Sequence, residues 1–344
     1  MECVVKYGLE NDMVKIADVP IPKIGENDVL VNVKAAGICG SDIEMWRGMH
    51  GYSVNFPVIL GHEFCGVIES VGKNVKNYKE GDRVACETSA YICGNCQFCR
   101  SGNYNLCPDR LGYGYGTDGA FTKYVKVRKE ILHYLPDNIS FEEGAIVEPL
   151  CVAYNAVGVS SKILAGDVVV IIGPGPIGLN CLQMAKILGA GTVIISGTNK
   201  DKNRLDLAEK LGADICINVD KQDLLKIVMD ETKNIGADLV INAAGNASSM
   251  YQSIELVKKS GQITKLGWDP DPIGFSLDPL ILKAITLRGS YGHNWIMWEK
   301  VLMLLKKGKL TTKPLITHIL NILEWKKGFE LMESKVAVKV VLKP

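Results

Sequence analysis

The sequence predicts an α/β chain of two domains, one rich in short strands and one in which strands and helices alternate. Its 344 residues exceed what one ordinary core accommodates and suit two domains. Short alternating strands broken by Gly, Pro and Asn fill residues 1–34, whereas residues 168–289 repeat a strand–helix unit. We therefore expect a β-rich domain followed by a doubly wound parallel sheet.

Composition excludes several classes of partner. Hydrophobic residues make up 47% of the chain and charged residues 22%, with a net charge of +1. A near-neutral chain without long basic runs lacks the electrostatic footprint for nucleic acid or an anionic membrane surface. The longest apolar run, residues 168–172, is too short to span a bilayer. The amino terminus has no signal or transit pattern, so we expect a cytoplasmic protein with a small-molecule substrate.

A candidate thiol ligand lies near the end of an early strand. Alternating apolar and polar residues over 29–34 predict this strand, and a short helix follows with Ser41 or Asp42 as its cap. Cys39 therefore lies where the strand passes into the helix. The partly positive helix start favours the thiolate form of that side chain.

Two further candidate ligands, His62 and Glu63, lie where two strands meet. Apolar runs at residues 58–60 and 64–71 predict those strands. Far downstream, Glu148 lies between a valine and a proline. A thiolate, an imidazole and two carboxylates form a mixed set that suits zinc and predicts one catalytic metal.

Four crowded cysteines give the strongest signal in the chain. The pattern C-x2-C-x2-C-x7-C comprises Cys93, Cys96, Cys99 and Cys107. So many thiols in a reduced compartment indicate a structural zinc held by four thiolates, in a lobe of about residues 88–110. A disulfide pair and an iron–sulfur cluster are the alternatives, but the odd total of 11 cysteines favours reduced thiols. Loss of this zinc should destabilise the fold before it affects chemistry.

A glycine loop in the second half predicts a bound dinucleotide. The apolar strand 168–172 runs directly into the segment 173–178, GPGPIG, and a helix and a second strand follow. Glycines let the backbone approach a pyrophosphate at the helix N-terminus, where free N–H groups favour anions. In this context G-x-G-x-x-G indicates a nicotinamide dinucleotide on a Rossmann fold. The residues predicted to contact it are Gly173, Gly175, Pro176, Ile177, Gly178, Ser196, Thr198, Arg204, Ala243, Leu266, Gly267 and Ser290.

The second strand of that fold leaves NAD and NADP both open. A free ribose 2′-hydroxyl usually meets an acid at its end, whereas this sequence has Ser196-Gly197-Thr198 there. The first carboxylate is Asp201, with Lys200, Lys202 and Arg204 nearby. This pattern tolerates a 2′-phosphate and so NADP, while a longer loop that brings Asp201 to the ribose would keep NAD. Beyond Ser290, a helix at 298–306 and a strand at 337–342 are expected to complete the first domain.

In this order along one chain, the motifs resemble the zinc-containing medium-chain dehydrogenase/reductase superfamily, and most closely its polyol branch of sorbitol, L-iditol, galactitol-phosphate and threonine dehydrogenases. The resemblance runs essentially end to end. It implies a GroES-like catalytic domain of residues 1–152 and 289–344, carrying the four-cysteine lobe, and a Rossmann coenzyme domain of residues 153–288. It also implies two zinc ions per chain, NAD or NADP, and a homodimer or homotetramer with residues 281–291 as an intersubunit strand.

The resemblance also implies roles for the candidate ligands. Cys39 and His62 match the first two catalytic zinc ligands, and Asp42 matches the acid that orients the histidine. Glu63 matches a carboxylate that replaces or exchanges with water in the polyol enzymes. Glu148 stands where alcohol dehydrogenases carry a ligand cysteine and polyol enzymes a glutamate.

The implied chemistry is hydride transfer from a secondary alcohol of a polyol, cyclitol or sugar derivative to the nicotinamide. Zinc would act as a Lewis acid on the substrate hydroxyl. Ser41 would hydrogen-bond the substrate oxygen, and Glu148, with a pKa raised by burial, would serve as base. A threonine-type amino-alcohol dehydrogenase and a catalytically silent dinucleotide-binding protein are the alternatives.

Two departures from the family pattern leave the proton path and the substrate open. Glu44 stands where many relatives have a relay histidine, and Gly292-His293 stands where sorbitol dehydrogenases have Arg-Tyr. The candidate substrate residues are Glu44, Tyr115, His293 and Asn294, with Trp295 beside them. The remaining histidines, interpreted as surface or satisfied side chains, are His50, His133 and His318.

Overall fold

The computed structural model describes residues 1–49, 51, 53–269 and 271–344. These form two compact units, one of residues 1–148 and 293–344 and the other of residues 149–292. The boundaries predicted from the sequence, at 152/153 and 288/289, lie within four residues of this division. His50 lies outside the described residues, so its predicted lack of a catalytic role is not addressed by the structure.

The elements of the described residues are named in chain order. The strands are β1 (Glu2–Lys6), β2 (Val14–Asp18), β3 (Asp28–Gly37), β4 (Val58–Ile59), β5 (Glu63–Val71), β6 (Arg83–Cys86), β7 (Ser89–Tyr91), β8 (Leu111–Gly112), β9 (Tyr124–Arg128), β10 (Leu132–Tyr134), β11 (Val168–Ile172), β12 (Thr192–Gly197), β13 (Ile215–Asn218), β14 (Ala237–Asn242), β15 (Val257–Lys265), β16 (Thr286–Gly289), β17 (Ile316–Asn321) and β18 (Lys339–Lys343). The helices are α1 (Gly40–Arg47), α2 (Gln97–Arg100), α3 (Phe141–Ala145), α4 (Glu148–Ala153), α5 (Pro176–Ile187), α6 (Lys202–Lys210), α7 (Leu224–Glu231), α8 (Ala247–Leu256), α9 (Asp278–Leu282), α10 (Trp295–Lys306) and α11 (Trp325–Glu333).

The first unit is built on a seven-stranded sheet with the path β10-β6-β5-β3-β18-β17, where β9 also pairs with β3. The alternation in β3 predicts one buried face, and its apolar residues do pack into the core of this unit. The C-terminal strand β18 runs antiparallel to β3, with Val341 opposite Gly37. The last strand of the chain is therefore part of the sheet of the first unit.

The register between β3 and β5 positions the candidate metal ligands. The two strands are antiparallel, and Gly37 at the end of β3 lies opposite Glu63 at the start of β5. Cys39 follows two residues after Gly37, so the strand pairing brings the start of α1 beside His62 and Glu63. A one-residue slip would turn every side chain of β5 to the opposite face.

The second unit is a six-stranded parallel sheet in the order β13-β12-β11-β14-β15-β16. With β11 as the first strand of the fold, this is the order 3-2-1-4-5-6 of a doubly wound dinucleotide-binding domain. Residues 169–172 of β11 are buried, as a parallel sheet covered on both faces requires. The predicted Rossmann architecture is confirmed.

Two predicted helix starts are wrong. α1 begins at Gly40 with Cys39 as its N-cap, so neither Ser41 nor Asp42 caps it. α10 begins at Trp295 rather than Trp298, because extended backbone at Asn294 provides its N-cap. Among the described residues, helices long and apolar enough to cross a membrane are absent.

Candidate active site

Three candidate ligands converge in the first unit. The ligand atoms of Cys39, His62 and Glu63 all lie within 4.8 Å of one another. Sulfur, imidazole nitrogen and carboxylate oxygen at this separation match the donor set that zinc takes in proteins. The structure thus brings together three of the four side chains proposed from the sequence as catalytic ligands. Glu148 is not a member of this cluster.

The Asp42 carboxylate lies beside two members of the cluster, Cys39 and His62. Its side chain is 2% exposed, and its Oδ2 accepts the backbone N–H of Cys39 at 2.8 Å. Its Oδ1 lies 3.7 Å from Nδ1 of His62. A carboxylate in this position orients a ligand imidazole and raises its basicity. The predicted orienting role of Asp42 is consistent with this geometry.

His62 lies in a strongly negative environment. Burial alone lowers the pKa of His62, but the charges of Asp42 and Cys39 outweigh burial and raise it to about 10. A site that binds a proton this tightly also attracts a cation, which would displace the proton.

The Glu63 carboxylate is buried, and only one of its two oxygen atoms has a hydrogen-bond partner among the described residues. Its Oε1 accepts a hydrogen bond from Nζ of Lys339 at 2.6 Å, while its Oε2 is buried without a hydrogen-bond partner among the described residues. A Cβ atom at Gly37 would come within 2.4 Å of that Oε2, so only glycine leaves it room. A bare buried acceptor costs about 1–3 kcal/mol, which a bound cation would offset. The residues present therefore fit a metal ion.

Lys339 is a buried partner of Glu63 that the sequence did not reveal. Its side chain is 2% exposed and also donates to the backbone carbonyl of Ile38 at 2.7 Å. Burial opposes its charge, but the Glu63 carboxylate raises the pKa of Lys339 above its usual value. The one available signal was a lysine inside the apolar run of residues 337–342.

Glu148 is held by a histidine instead of joining the cluster. Nε2 of His293 lies 2.9 Å from Oε1 of Glu148, and both side chains are buried. The sequence predicts that burial raises the pKa of Glu148, but this is wrong. Burial does act in that direction, yet the hydrogen bond donated by His293 and the charge of His62 hold the pKa of Glu148 below its ordinary value.

Two polar side chains of α1 lie near the cluster in sequence. Ser41 is partly exposed on the first turn, and within the described part of the chain its hydroxyl has no hydrogen-bond partner. It is thus not engaged as a cap. Glu44 is partly buried, and burial together with the charge of Asp42 raises its pKa.

The remaining substrate candidates are held within the first unit. The Tyr115 hydroxyl accepts from Arg110 at 2.6 Å. Asn294 is buried and donates to the carbonyl of Gly102 at 3.1 Å. Trp295 is 48% exposed and its backbone N–H bonds the hydroxyl of Tyr104. Asn294 and Trp295 therefore fasten the start of α10 to the cysteine lobe, which is a structural role that the sequence did not indicate.

Two of the histidines predicted to lack a catalytic role are described. His133 is buried, with Nδ1 at 2.6 Å from Oε1 of Glu299 and Nε2 at 3.1 Å from Oε1 of Glu87. Both ring nitrogens therefore have partners, which agrees with the interpretation of His133 as a satisfied side chain. His318 is partly exposed and contacts the hydroxyl of Thr317.

The four cysteines of the lobe form a second cluster. Cys93, Cys96, Cys99 and Cys107 bring their sulfur atoms within 4.8 Å of one another. The Cys93–Cys107 and Cys93–Cys99 sulfur separations are 3.6 and 3.9 Å. Four thiolates placed tetrahedrally about 2.3 Å from one zinc would be about 3.8 Å apart. Backbone N–H groups of Asn95 and Cys96 lower the pKa of Cys93 to about 7, which favours the thiolate.

The glycine loop of the second unit is open where a phosphate would approach. Gly173 has φ +101°, and a Cβ at Gly178 would lie 1.9 Å from the Gly173 carbonyl oxygen. Both positions therefore require glycine. A Cβ at Gly175 would meet nothing within 4 Å, so this glycine, the N-cap of α5, leaves the helix start accessible. Pro176 and Ile177 form the first turn of that helix.

Other predicted coenzyme residues lie just beyond the carboxyl ends of neighbouring parallel strands. Ala243 donates its N–H to Ile172, while Leu266 and Gly267 both donate to the carbonyl of Asn242. Ser290 follows β16, and the hydroxyl of this buried residue has no hydrogen-bond partner among the described residues. Ligands of open α/β sheets bind at this edge.

Arg204 does not lie where the phosphate prediction requires. It is 7% exposed, and its guanidinium lies 3.4 Å from Oδ1 of Asp201. Oδ2 of Asp201 accepts the N–H and hydroxyl of Thr198 at 3.1 and 2.7 Å. The buried Asp201 and Arg204 thus form, with the partly exposed Thr198, a polar group that stabilises the turn after β12. Ser196 is buried in that strand.

A mixed thiolate, imidazole and carboxylate cluster on a β-rich unit, followed by a doubly wound parallel sheet with a phosphate-binding glycine loop, defines the class of metal-dependent alcohol dehydrogenases. Family models agree with this class. Residues 25–137 match the alcohol dehydrogenase GroES-like domain, and residues 176–307 match the zinc-binding dehydrogenase domain. The chain belongs to the zinc-containing medium-chain dehydrogenase superfamily, and within it to the polyol branch.

Similar proteins span the whole chain. A sorbitol dehydrogenase of Halalkalibacterium halodurans is 40% identical over 100% of this chain and 99% of its own. A D-arabitol-phosphate dehydrogenase of Enterococcus avium is 38% identical over 99% and 97%. An L-threonine 3-dehydrogenase of Bacillus licheniformis is 38% identical over 95% and 94%. The crystal structure of galactitol-1-phosphate dehydrogenase from Escherichia coli superimposes with a TM-score of 0.90 at 27% identity over 100% of both chains.

Proposed function

We propose that this protein oxidises a secondary alcohol of a polyol or sugar derivative, with zinc held by Cys39, His62 and Glu63 and a nicotinamide coenzyme as hydride acceptor. The observation that carries this proposal is the convergence of those three donors within 4.8 Å. The sorbitol and arabitol-phosphate dehydrogenases among the similar proteins support the substrate class.

Five side chains would have separate roles in metal binding, substrate binding and proton transfer. Cys39, His62 and Glu63 would hold the metal, which when bound supplies Lewis-acid stabilisation of the charge that develops on the substrate oxygen. Ser41, with an unengaged hydroxyl near the cluster, would hydrogen-bond the substrate hydroxyl. Glu148, a buried carboxylate whose pKa lies below its ordinary value, would accept the proton as the base.

A substrate panel tests the proposal. Sorbitol, galactitol, arabitol, their phosphates and threonine are each incubated with NAD and with NADP, and reduced nicotinamide is followed by absorbance. We expect turnover with at least one polyol or polyol phosphate. Turnover with threonine alone would favour the second candidate, an amino-alcohol dehydrogenase, which the 38% identity to a threonine dehydrogenase supports. Binding of coenzyme without turnover of any alcohol would contradict both.

We propose that the coenzyme site accepts NADP. The carboxylate of Asp201 faces Thr198 and Arg204, and the carboxylate of Asp220 accepts the backbone N–H of Asn199 at 2.7 Å, so both acids beside the end of β12 are engaged with groups of the chain itself. Lys200 is the exposed cation nearest to that turn in sequence. We expect Lys200→Ala to lower kcat/KM for NADP by roughly tenfold relative to NAD, the effect of one charge-assisted contact.

Two further variants sharpen this test. Arg204→Ala should leave the NADP/NAD ratio unchanged, because its guanidinium is buried against Asp201. Lys210→Ala, at the far end of α6, is the control for loss of one exposed positive charge. An NADP/NAD ratio of kcat/KM that falls in Arg204→Ala but not in Lys200→Ala would show that Arg204, and not Lys200, contacts the 2′-phosphate.

We propose that each chain binds two zinc ions, the second in the four-cysteine cluster. Cys96→Ser is expected to remove one zinc per chain and to lower Tm by several degrees, since a structural zinc stabilises the fold that it cross-links. At temperatures below that transition, kcat should remain within about threefold of wild type because this zinc does not touch substrate. Metal analysis and thermal unfolding measure both effects.

The matched control for that variant is Cys216→Ser, which changes a partly exposed thiol outside both cysteine-containing clusters. It should retain two zinc ions per chain. A Cys96→Ser protein that keeps both zinc ions would show that the four-cysteine cluster does not bind the second zinc.

We propose a homodimer or homotetramer that pairs through β16. This strand is the edge of the six-stranded sheet, and all four of its residues are exposed in the single chain. Nearby Ile281 and Leu282 are each 79% exposed. An exposed edge strand presents unpaired N–H and C=O groups that can pair with a second chain, and light scattering of the purified protein tests this. None of the 11 cysteines, all of which are among the described residues, forms a disulfide, which supports a cytoplasmic location.

A further inference from the structure

The environment of His293 restricts what this histidine can do. Nε2 of His293 lies 2.9 Å from Oε1 of Glu148, and Nδ1 lies 2.9 Å from the indole Nε1 of Trp298. Both His293 and Trp298 are 1% exposed. An indole nitrogen donates a hydrogen bond and never accepts one. Nδ1 must therefore be the unprotonated nitrogen, and Nε2 must carry the proton that is donated to Glu148.

The indole ring of Trp298 is itself held in place by a second ring that stacks on its face. The ring of His133 stacks on the indole with centroids 5.2 Å apart and planes 8° from parallel. His133 in turn bonds the carboxylates of Glu87 and Glu299 through its two nitrogens. The indole cannot turn its N–H away from His293 without breaking this stacking, so the donor to Nδ1 is fixed.

We propose that His293 is a positioning residue that holds the Glu148 carboxylate through its Nε2–H, and that Trp298 fixes the tautomer of His293 by donating to Nδ1. His293 is then not a substitute for the relay histidine that Glu44 replaces. To pass a proton onward, Nδ1 would have to become a donor, and two N–H groups would face each other across 2.9 Å. Thr88, whose hydroxyl lies 3.4 Å from Nε2, contacts the nitrogen that is already engaged with Glu148.

This inference deepens the proposed function, and three variants separate positioning from proton relay. His293→Gln keeps an N–H donor but cannot transfer a proton. His293→Leu removes the donor at similar volume. His318→Leu is the matched control, because His318 is a partly exposed histidine away from Glu148.

We expect His293→Leu to lower kcat roughly 10- to 100-fold, the usual effect of losing a residue that orients the groups around a metal site, with KM for the coenzyme unchanged. His293→Gln should recover most of that loss, and His318→Leu should match wild type. Thermal unfolding checks that each variant is folded. A folded His293→Gln enzyme as slow as His293→Leu would indicate a relay and overturn the proposal, as would a His293→Leu enzyme with wild-type kcat.

A spectroscopic measurement decides the tautomer without any turnover. The full-length metal-loaded protein is labelled with 15N-histidine, and the His293 signals are assigned by their absence in His293→Gln. Wild type should show the Nε2–H tautomer, and Trp298→Phe should lose this fixed form while His133 stays stacked on the phenyl ring. A wild-type spectrum with the proton on Nδ1 would overturn the proposal. If no alcohol is oxidised, the proposed function fails and this spectrum still decides the role of His293.

Discussion

Replacement of Cys39 by alanine is expected to abolish the catalytic zinc and to lower kcat/KM by roughly 10³-fold or more, equivalent to about 4 kcal/mol of transition-state stabilisation. The thiolate is the only sulfur donor of the three-residue cluster. The negative charge of the Glu63 carboxylate is partly neutralised by the ammonium group of Lys339, which donates a hydrogen bond to it. His62 and Glu63 alone would hold zinc weakly. Steady-state kinetics with the best substrate of the panel and metal analysis of the same preparation measure the effect.

The Cys39→Ala protein should retain one zinc per chain in the four-cysteine lobe. The Cys96→Ser protein should instead lose the zinc of the lobe and keep its turnover. Each variant would then contain one zinc per chain, but only Cys96→Ser would be active. Cys216→Ala serves as the control for removal of a thiol outside both cysteine-containing clusters. Full turnover by a Cys39→Ala protein that still contains two zinc ions would refute the assignment.

Replacement of Lys339 by methionine is expected to produce the largest loss of stability. The change leaves the Glu63 carboxylate, which is 0% exposed, without its cationic partner. Removing one partner of a buried ion pair costs about 3–5 kcal/mol, because the remaining charge is neither paired nor solvated. For a unit of this size we expect Tm to fall by roughly 6–20 °C, measured by differential scanning calorimetry.

The same strand supplies a matched control. Lys343 also pairs with a glutamate, Glu142, at 2.8 Å, but its side chain is 50% exposed. Lys343→Met should therefore cost at most about 1 kcal/mol, as exposed ion pairs do. The double variant Lys339→Met with Glu63→Gln should recover part of the loss, since the uncompensated charge is gone. Equal Tm values for Lys339→Met and Lys343→Met would show that the buried pair does not stabilise the fold.

The architecture and the metal cluster could be predicted from the sequence because their signals are local. Period-two alternation, a glycine loop between a strand and a helix, and four cysteines at fixed spacing each report on a short stretch of chain. The pairing of Cys39 with His62 and Glu63 is also nearly local, since one antiparallel register joins the ends of two strands.

What the sequence could not supply are contacts between distant segments. Lys339 reaches Glu63 across 276 positions, and its alternation within β18 does not reveal that it is buried. Glu148 and His293 are 145 positions apart, so the hydrogen bond that lowers the pKa of Glu148 was invisible and burial alone gave the wrong direction. Arg204 and Asp201 are close in sequence, but only the fold shows that they are buried together.

Anomalous diffraction from a crystal of the purified protein, recorded on both sides of the zinc absorption edge, locates each zinc ion directly. We expect a zinc peak within about 2.0–2.3 Å of the Cys39 sulfur and a His62 ring nitrogen, with a carboxylate oxygen of Glu63 beside it. A crystal of active enzyme with zinc only among Cys93, Cys96, Cys99 and Cys107, and no anomalous signal beside Cys39, would contradict the proposed catalytic zinc site.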